Sequence, residues 1–402
     1  MNDYLKQEGQ KIGNRLVDIR RDIHRHPELG MEEFRTAKVV ADTLKSLDLE
    51  VTEKIANTGV VGILEGKNTG KTIAIRADMD ALAVEEENDV PYRSTYPGKM
   101  HACGHDGHVA ILLGAAMILS SMKDSLAGRV KFVFQPAEEK GPDGGAKFMI
   151  EEGVLQNPDV DAMIGFHIFP QVPAGSYIVR YGKMMAASDK FKIIINGKGG
   201  HPGLPHQTVD AVAVSGYVIT ALQTIVSRNT DPLDPSVVTL GKITGGTKHN
   251  IIAASAEIEG TARSFSNESR NFVEEKIKAI VSSVCEGLGA RGEVHYENGY
   301  PQLENNNDIV RLLETSLTDM AGSDAVIQME KPVMGSEDFA YFSHRVPSGY
   351  FIIGGKGEDE QFYPNHHPQF NFDECILEQG AVVLSKIAYD YLNQAASGSN
   401  QG

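Results

Sequence analysis

The sequence predicts an α/β protein whose outer domain is interrupted by a ferredoxin-like insertion. Three observations predict this. Short apolar runs fall at 60–64, 72–76, 130–135, 162–166 and 350–353, several of them apolar on consecutive positions, as in strands covered on both faces. Helical segments lie between these runs. A middle stretch of about 110 residues then reads β-α-β-β-α-β, the split order of a ferredoxin-like fold.

Along the chain, residues 3–25 read as a charged helix that stops before His26-Pro27. A second helix, from Met31 to Leu47, is amphipathic through Phe34, Val39, Val40, Leu44 and Leu47. The first two strands follow. Residues 109–122 (VAILLGAAMILSSM) are the most apolar stretch and read as a buried helix, too short for a membrane span of about 20 residues. A strand, a helix at 145–153 and the strand at 162–166 complete the first part of the outer domain, 1–186. In the insertion, 187–298, DKFKIIIN alternates as a strand at 189–196. A helix follows at 207–228, then strands at 236–244 and 251–263, a helix at 267–288 and a strand at 292–298. The chain returns near Gly299-Tyr300-Pro301, and residues 299–402 complete the outer domain. The Ser/Gly/Asn/Gln tail from 396 is expected to fray.

At about 100–200 residues per domain, a chain of 402 residues suits two or three domains. Apolar residues at 41% and charged residues at 23% are ordinary for a soluble globular protein. Lys plus Arg number 38 and Asp plus Glu 54, a net charge of −16, which argues against nucleic-acid and anionic-membrane partners. Three cysteines, Cys103, Cys285 and Cys375, make no disulfide framework and suit a reducing compartment. The first ten residues hold no apolar signal region, so a cytoplasmic location is expected.

The histidines cluster. Residues 101–108 (HACGHDGH) hold three His, a Cys and an Asp, the donor types that bind zinc and similar ions. Taken alone, this segment favours metal ligation, with a Gly-rich helix start with polar capping as the lesser alternative. Three predicted strands also run into acids or imidazole at their C-terminal ends: Asp78-Met79-Asp80, Glu138-Glu139 and His167. In open α/β sheets that edge is where ligands bind. Two further stretches, Gly335-Ser336-Glu337-Asp338 and Asn365-His366-His367-Pro368, add acids and imidazoles near the C-terminus. Gly197-Lys198-Gly199-Gly200-His201-Pro202 fails as a dinucleotide fingerprint, because Pro202 holds the third glycine position and no acid closes the unit.

In this order, HRHPELG (24–30), RADMDAL (76–82), HACGHDGH (101–108), QPAEE (135–139), GGHPG (199–203), GSEDFAYF (335–342) and HHPQF (366–370) resemble the aminoacylase/carboxypeptidase metallopeptidase clan. Within it, the chain is similar to the amidohydrolase branch of N-acyl-amino-acid amidohydrolases, hippurate hydrolases and auxin-conjugate hydrolases. The resemblance implies a metal-dependent exopeptidase-like α/β catalytic domain with an inserted lid or dimerisation domain. It implies two divalent ions per subunit, drawn from zinc, manganese, cobalt or nickel. Cys103 then matches a bridging thiolate, and His105, Glu139, His167 and His366 match the remaining ligands, with His366 taken over His367 by the His-x-Pro-x-Phe pattern. Glu138 matches the general base, Asp78 the acid that orients a ligand, and His201 a group reaching the substrate carbonyl from the same or a neighbouring subunit. Arg263 and Asn250 are candidates for holding a substrate carboxylate, and His101 and His108 for fixing the ligand loop, His108 reading better as a structural histidine.

The expected reaction is hydrolysis of an N-acyl-L-amino acid by metal-activated water, in a homodimer or higher homo-oligomer joined through the insertion. A dipeptidase or carboxypeptidase would use the same residues. A thiol hydrolase with Cys103 and His105, and a metal-retaining binding protein without turnover, are rival readings. An oriented Cys–His pair fits poorly with a one-residue gap in a Gly-rich loop, and a structural metal site has no need of Glu138 beside a ligand.

Overall fold

The structure is a computed structural model that describes residues 1–142, 144–358 and 361–398, side chains at 394–398 excepted. The chain divides into two units: Met1–Gly182, Glu304–Lys331 and Asp338–Gly402 form the first, Lys183–Leu303 and Pro332–Glu337 the second. The short segment 332–337 thus joins the second unit, where an outer-domain position was expected.

The first unit is built on a mixed eight-stranded sheet. In chain order its elements are α1 (Asn2–Arg25), α2 (Phe34–Lys45), β1 (Glu50–Ile55), β2 (Gly59–Glu65), β3 (Asn68–Asp78), α3 (His105–Ser121), β4 (Ala127–Gln135), α4 (Gly145–Glu151), β5 (Ala162–Pro173) and β6 (Tyr177–Val179). The chain passes to the second unit through β7 (Gly182–Met185). The second unit carries β8 (Ala187–Asn196), α5 (Ala211–Thr224), β9 (Val237–Gly245), β10 (Ser255–Ser264), α6 (Asn267–Gly287) and β11 (Arg291–Glu297). The chain returns through β12 (Leu303–Asn305) to α7 (Asn307–Ala321), β13 (Val326–Gln328), α8 (Ala340–Ser343), β14 (Ser348–Lys356) and α9 (Cys375–Gly398).

The large sheet runs β1-β2-β4-β3-β5-β14-β6-β13; the central strands β4, β3, β5 and β14 are parallel to one another, while β2 and β6 flank them antiparallel. These strands, with β2, carry the consecutive apolar runs, and they are buried on both faces. Strands β1, β6 and β13 were not expected: β1 (EVTEKI) is an exposed edge with no apolar pattern, and the other two are three residues long. Helix α3 is apolar all round because it is buried from His105 to Leu119. It packs against α1 and α9, which share its core through Leu16, Ala381 and Leu384. α2 starts at Phe34, three residues later than expected, because Met31 has a left-handed φ of 69°. α9 continues to Gly398 where fraying was expected from 396, and residues 399–402 lie outside the described residues.

One buried cation ties a loop to the sheet. Lys131, 2% exposed on β4, donates from Nζ to the carbonyls of Val154, Gln156 and Pro158 at 3.0, 2.8 and 2.9 Å. Lys131→Met leaves those acceptors without a donor, and an unmet buried polar group costs about 1–3 kcal/mol. Chemical denaturation of that variant is therefore expected to show a stability loss of about 2–4 kcal/mol.

The second unit is a four-stranded antiparallel sheet in the order β11-β8-β10-β9, with α5 and α6 packed on it. This is the ferredoxin-like arrangement. Phe191, Ile193 and Ile195 of β8 alternate inward and meet Val214, Val218 and Leu222 of α5 and Val273, Ile277 and Val281 of α6. α5 starts at Ala211, where Asp210 caps Val212 N and Ala213 N. With the following turn, Ala211–Asn229 is the one helix among the described residues that is long and apolar enough to cross a membrane by length and composition. In this fold its inward residues are part of the insertion's core. Val212, Tyr217 and Ile243, on α5 and the edge strand β9, are exposed.

Candidate active site

Parallel strands deliver the site to one edge of the large sheet. β3 ends at Asp78, with Asp80 two residues beyond; β4 ends at Gln135, and β5 carries His167. Cys103 and His105 sit where α3 begins. Gly104 between them is left-handed (φ 91°), and an added Cβ would stand 3.3 Å from the Phe370 ring. Such a turn suits glycine, which lets Cys103 and the helix start face the same space. After β4, Ala137 is also left-handed (φ 55°, ψ 43°), and a single 3-10 turn over Glu138–Lys140 follows. That is the bend needed for adjacent acids to serve one site. His366 comes from the loop between β14 and α9, its N donating to Ala102 O at 2.7 Å.

These side chains converge. Among the described residues, Cys103, His105 and His167 form one group and Cys103, Glu139 and His366 another, each with ligand atoms within 4.8 Å of one another; both contain the Cys103 sulfur. Cys103 Sγ is 3.4 Å from His167 Nε2, and His366 Nε2 is 2.9 Å from Glu139 Oε1. His367 turns elsewhere: its ring stacks on Tyr363 at 4.7 Å. The two buried imidazoles are oriented alike. His167 Nδ1 donates to Ile168 O at 2.8 Å, and His105 Nδ1 donates to Asp80 O at 2.9 Å with Asp80 Oδ1 at 3.2 Å. In both, Nδ1 is engaged by an oxygen acceptor and Nε2 is the nitrogen left to bind a metal, which at His105 would displace its proton. His105 Nε2 is buried without a hydrogen-bond partner.

The electrostatics match. Burial raises the Cys103 thiol well above its ordinary value, and the charges of Glu139 and Glu138 add to this. Burial would lower His105, but Asp78 and Asp80 outweigh it and carry the imidazole up to about 10. A site this rich in carboxylates, with a buried thiol and an unpaired imidazole nitrogen, fits divalent cations, which would take the thiol as thiolate. An activated nucleophilic cysteine needs the opposite, a thiol held low.

The acid that orients a ligand candidate is Asp80, not Asp78. Besides meeting His105, Asp80 Oδ2 accepts from Glu139 N at 2.9 Å. Asp78 is instead fixed between Arg76 Nη1 (2.7 Å) and His108 Nδ1 (2.5 Å), and lies 3.6 Å from His105 Nε2. The Asp-x-Asp spacing was visible in sequence, but the strand ends between the two acids, so alternation did not tell them apart. His108 is a linking residue: Nδ1 donates to Asp78, and Nε2 accepts from Ile168 N at 3.0 Å. His101 is buried with neither ring nitrogen hydrogen-bonded. His201, Asn250 and Arg263 belong to the second unit. His201 and Asn250 are exposed, and half-buried Arg263 donates from Nη1 to Ser336 Oγ at 2.9 Å.

A family model described as peptidase family M20/M25/M40 matches residues 74–390. A Saccharolobus solfataricus protein named thermostable carboxypeptidase 1 is 42% identical over 393 residues, 97% of this chain and 98% of its own. A Bacillus subtilis protein named N-acetyl-L-cysteine deacetylase is 38% identical over 391 residues, 96% of this chain and 91% of its own. The crystal structure of a dinuclear metal-binding peptidase of family M20 from Bacillus subtilis is similar at a TM-score of 0.82 and 33% identity, covering 96% of this chain and 99% of that one. This chain belongs to peptidase family M20/M25/M40, where it is a metal-dependent hydrolase of the amidohydrolase branch.

Proposed function

We propose that this protein hydrolyses the amide bond of N-acyl-L-amino acids, releasing a carboxylate and a free amino acid. Cys103, His105, Glu139, His167 and His366 would hold two divalent ions, which when bound favour the ionisation of water and stabilise charge on the scissile carbonyl. One observation carries the reading. Glu138 lies outside both groups that share Cys103, yet its carboxylate is buried within 4.8 Å of ligand atoms of His105 and Glu139. A carboxylate so placed beside a complete donor set is suited to take the proton of the attacking water and return it to the departing amine. Asp80 and the Ile168 carbonyl keep His105 and His167 in the tautomer that the site needs. Asp78, locked by Arg76 and His108, supplies a fixed negative charge beside His105. His201 is assigned as a donor to the substrate carbonyl, and Arg263 and Asn250 as groups meeting its carboxylate.

The test is release of free amino acid from acetyl and benzoyl amino acids, before and after chelation. Activity is expected to fall to background with chelator and to return with manganese or zinc. Chelator-resistant turnover that alkylation abolishes would overturn the reading. The name of the 42%-identical relative favours a second reading, a carboxypeptidase, since both reactions cleave an amide beside a free carboxylate. Preference for aminoacyl over acyl substrates in the same assay would select it.

The proposal includes a cytoplasmic homo-oligomer. Cys103 and Cys285 are unpaired buried thiols, as a reducing compartment allows. Exposed Val212, Tyr217 and Ile243 beside the edge strand β9 offer the insertion an apolar surface for a second copy.

A further inference from the structure

Glu33 stands at the N-cap position of α2 yet makes no side-chain bond to that helix. Glu28 caps it instead: its carboxylate accepts from Arg35 N at 2.9 Å and from Thr36 N at 2.8 Å. The Glu33 side chain turns away to Thr58 and to a distant part of the chain. Oε2 accepts from Thr58 Oγ1 at 2.6 Å, and Oε1 accepts from Ala137 N at 2.8 Å. Glu33 is wholly buried, and burial, followed by the charge of Asp80, pushes its carboxyl up to about 7. Burying such a group is unfavourable, and the helix beside it draws no benefit.

The benefit lies at Ala137. A left-handed conformation costs an L-residue about 1–2 kcal/mol and persists only where its surroundings hold it. Here they do. Gly145 N donates to Ala137 O at 3.2 Å, and Asp80 Oδ2 accepts from Glu139 N at 2.9 Å. Gly30 lies against the same turn, where an added Cβ would come within 3.0 Å of Ala137 Cα. Glu33 takes the remaining polar group, the Ala137 N–H, immediately before Glu138.

We propose that Glu33 is a positioning residue for the hydrolysis, its bond to Ala137 N holding the left-handed turn that aims Glu138. The proposal rests on reading Glu138 as the base. Glu33→Leu removes both acceptors at similar size, Glu33→Asp draws the carboxylate back by one methylene, and Glu33→Gln keeps an oxygen for Ala137 N. A base misplaced by about 1 Å can lose about 100-fold in rate. Glu33→Leu and Glu33→Asp are therefore expected to lower kcat about 30-fold or more with KM within about threefold, and to speed amide exchange at residue 137. Glu33→Gln is expected to restore both kcat and protection. Thr58→Val, which leaves the Ala137 bond in place, should keep kcat.

If Glu33→Leu does not fold, Glu33→Asp and Glu33→Gln still decide the question. Wild-type kcat in a folded Leu or Asp variant, unaltered exchange at residue 137, or a Gln variant as slow as Leu would overturn the proposal. Glu138→Gln in the same assay separates the two claims. If it turns over normally, the base reading falls. If it is inactive while Glu33→Leu is not impaired, only the Glu33 proposal falls.

Discussion

Glu138→Gln is expected to keep its fold and its metal and to lose about a thousandfold in kcat, close to 4 kcal/mol of transition-state stabilisation. The amide has the size of the carboxyl but cannot accept the water's proton or return it to the amine. Glu138 is 8% exposed and stands outside both groups that share Cys103, so its replacement removes none of the five donors assigned to metal. One negative charge leaves a crowd that includes Glu139 and Asp78, so the melting temperature should stay level or rise. The decisive set is kcat, metal content by atomic emission and a thermal melt. Turnover within tenfold of wild type would end the assignment of Glu138 as base.

Cys103→Ala should act differently, through the metal. The Cys103 sulfur is common to both donor groups, so its removal weakens two sites in one step. Metal content is expected to fall from two equivalents to one or fewer, and activity to drop about a thousandfold or more at ambient metal. The stability pattern supplies the control. Without metal, the thiol is neutral and buried, held up by burial and by Glu139 and Glu138. Replacing it by a methyl group then costs about 1 kcal/mol of packing. The metal-free variant should therefore melt close to the metal-free parent, while the gain in melting temperature on adding metal shrinks. Two full equivalents in Cys103→Ala would rule out the ligand assignment.

The fold was legible where burial writes on both faces of an element. β2, β4, β5 and β14 lie inside the sheet, so consecutive Val, Ile and Phe could not be surface decoration. The same signal fails at edges. β1 is polar at four of six positions, and β6 and β13 are too short to show a period. In the site, the gathering of Cys103, His105, Glu139 and His167 was legible because they follow or sit on strands that end at one edge, or begin the helix above it, while His366 and the ligand roles came from the family resemblance. What stayed hidden was rotational. Nothing local shows that the Asp78 side chain meets Arg76 and His108 while Asp80 meets His105. The family pattern already favours His366 over His367, and the structure adds the local reason, a left-handed φ of 70° at the first and ring stacking at the second. The Glu33 contact joins residues more than a hundred positions apart, and an acid at a helix start reads first as a cap.

The insertion begins and ends in neighbouring strands. Lys190 on β8 pairs directly with Glu297 on β11, so the two ends of the inserted chain lie about 5 Å apart. A segment with adjoining ends is a cassette. Its own core, with Ile193, Val218 and Ile277, is built from residues of the insertion. The loops of such a cassette can be resized or reshaped without cutting the strands that carry the donors gathered around Cys103, which belong to the first unit.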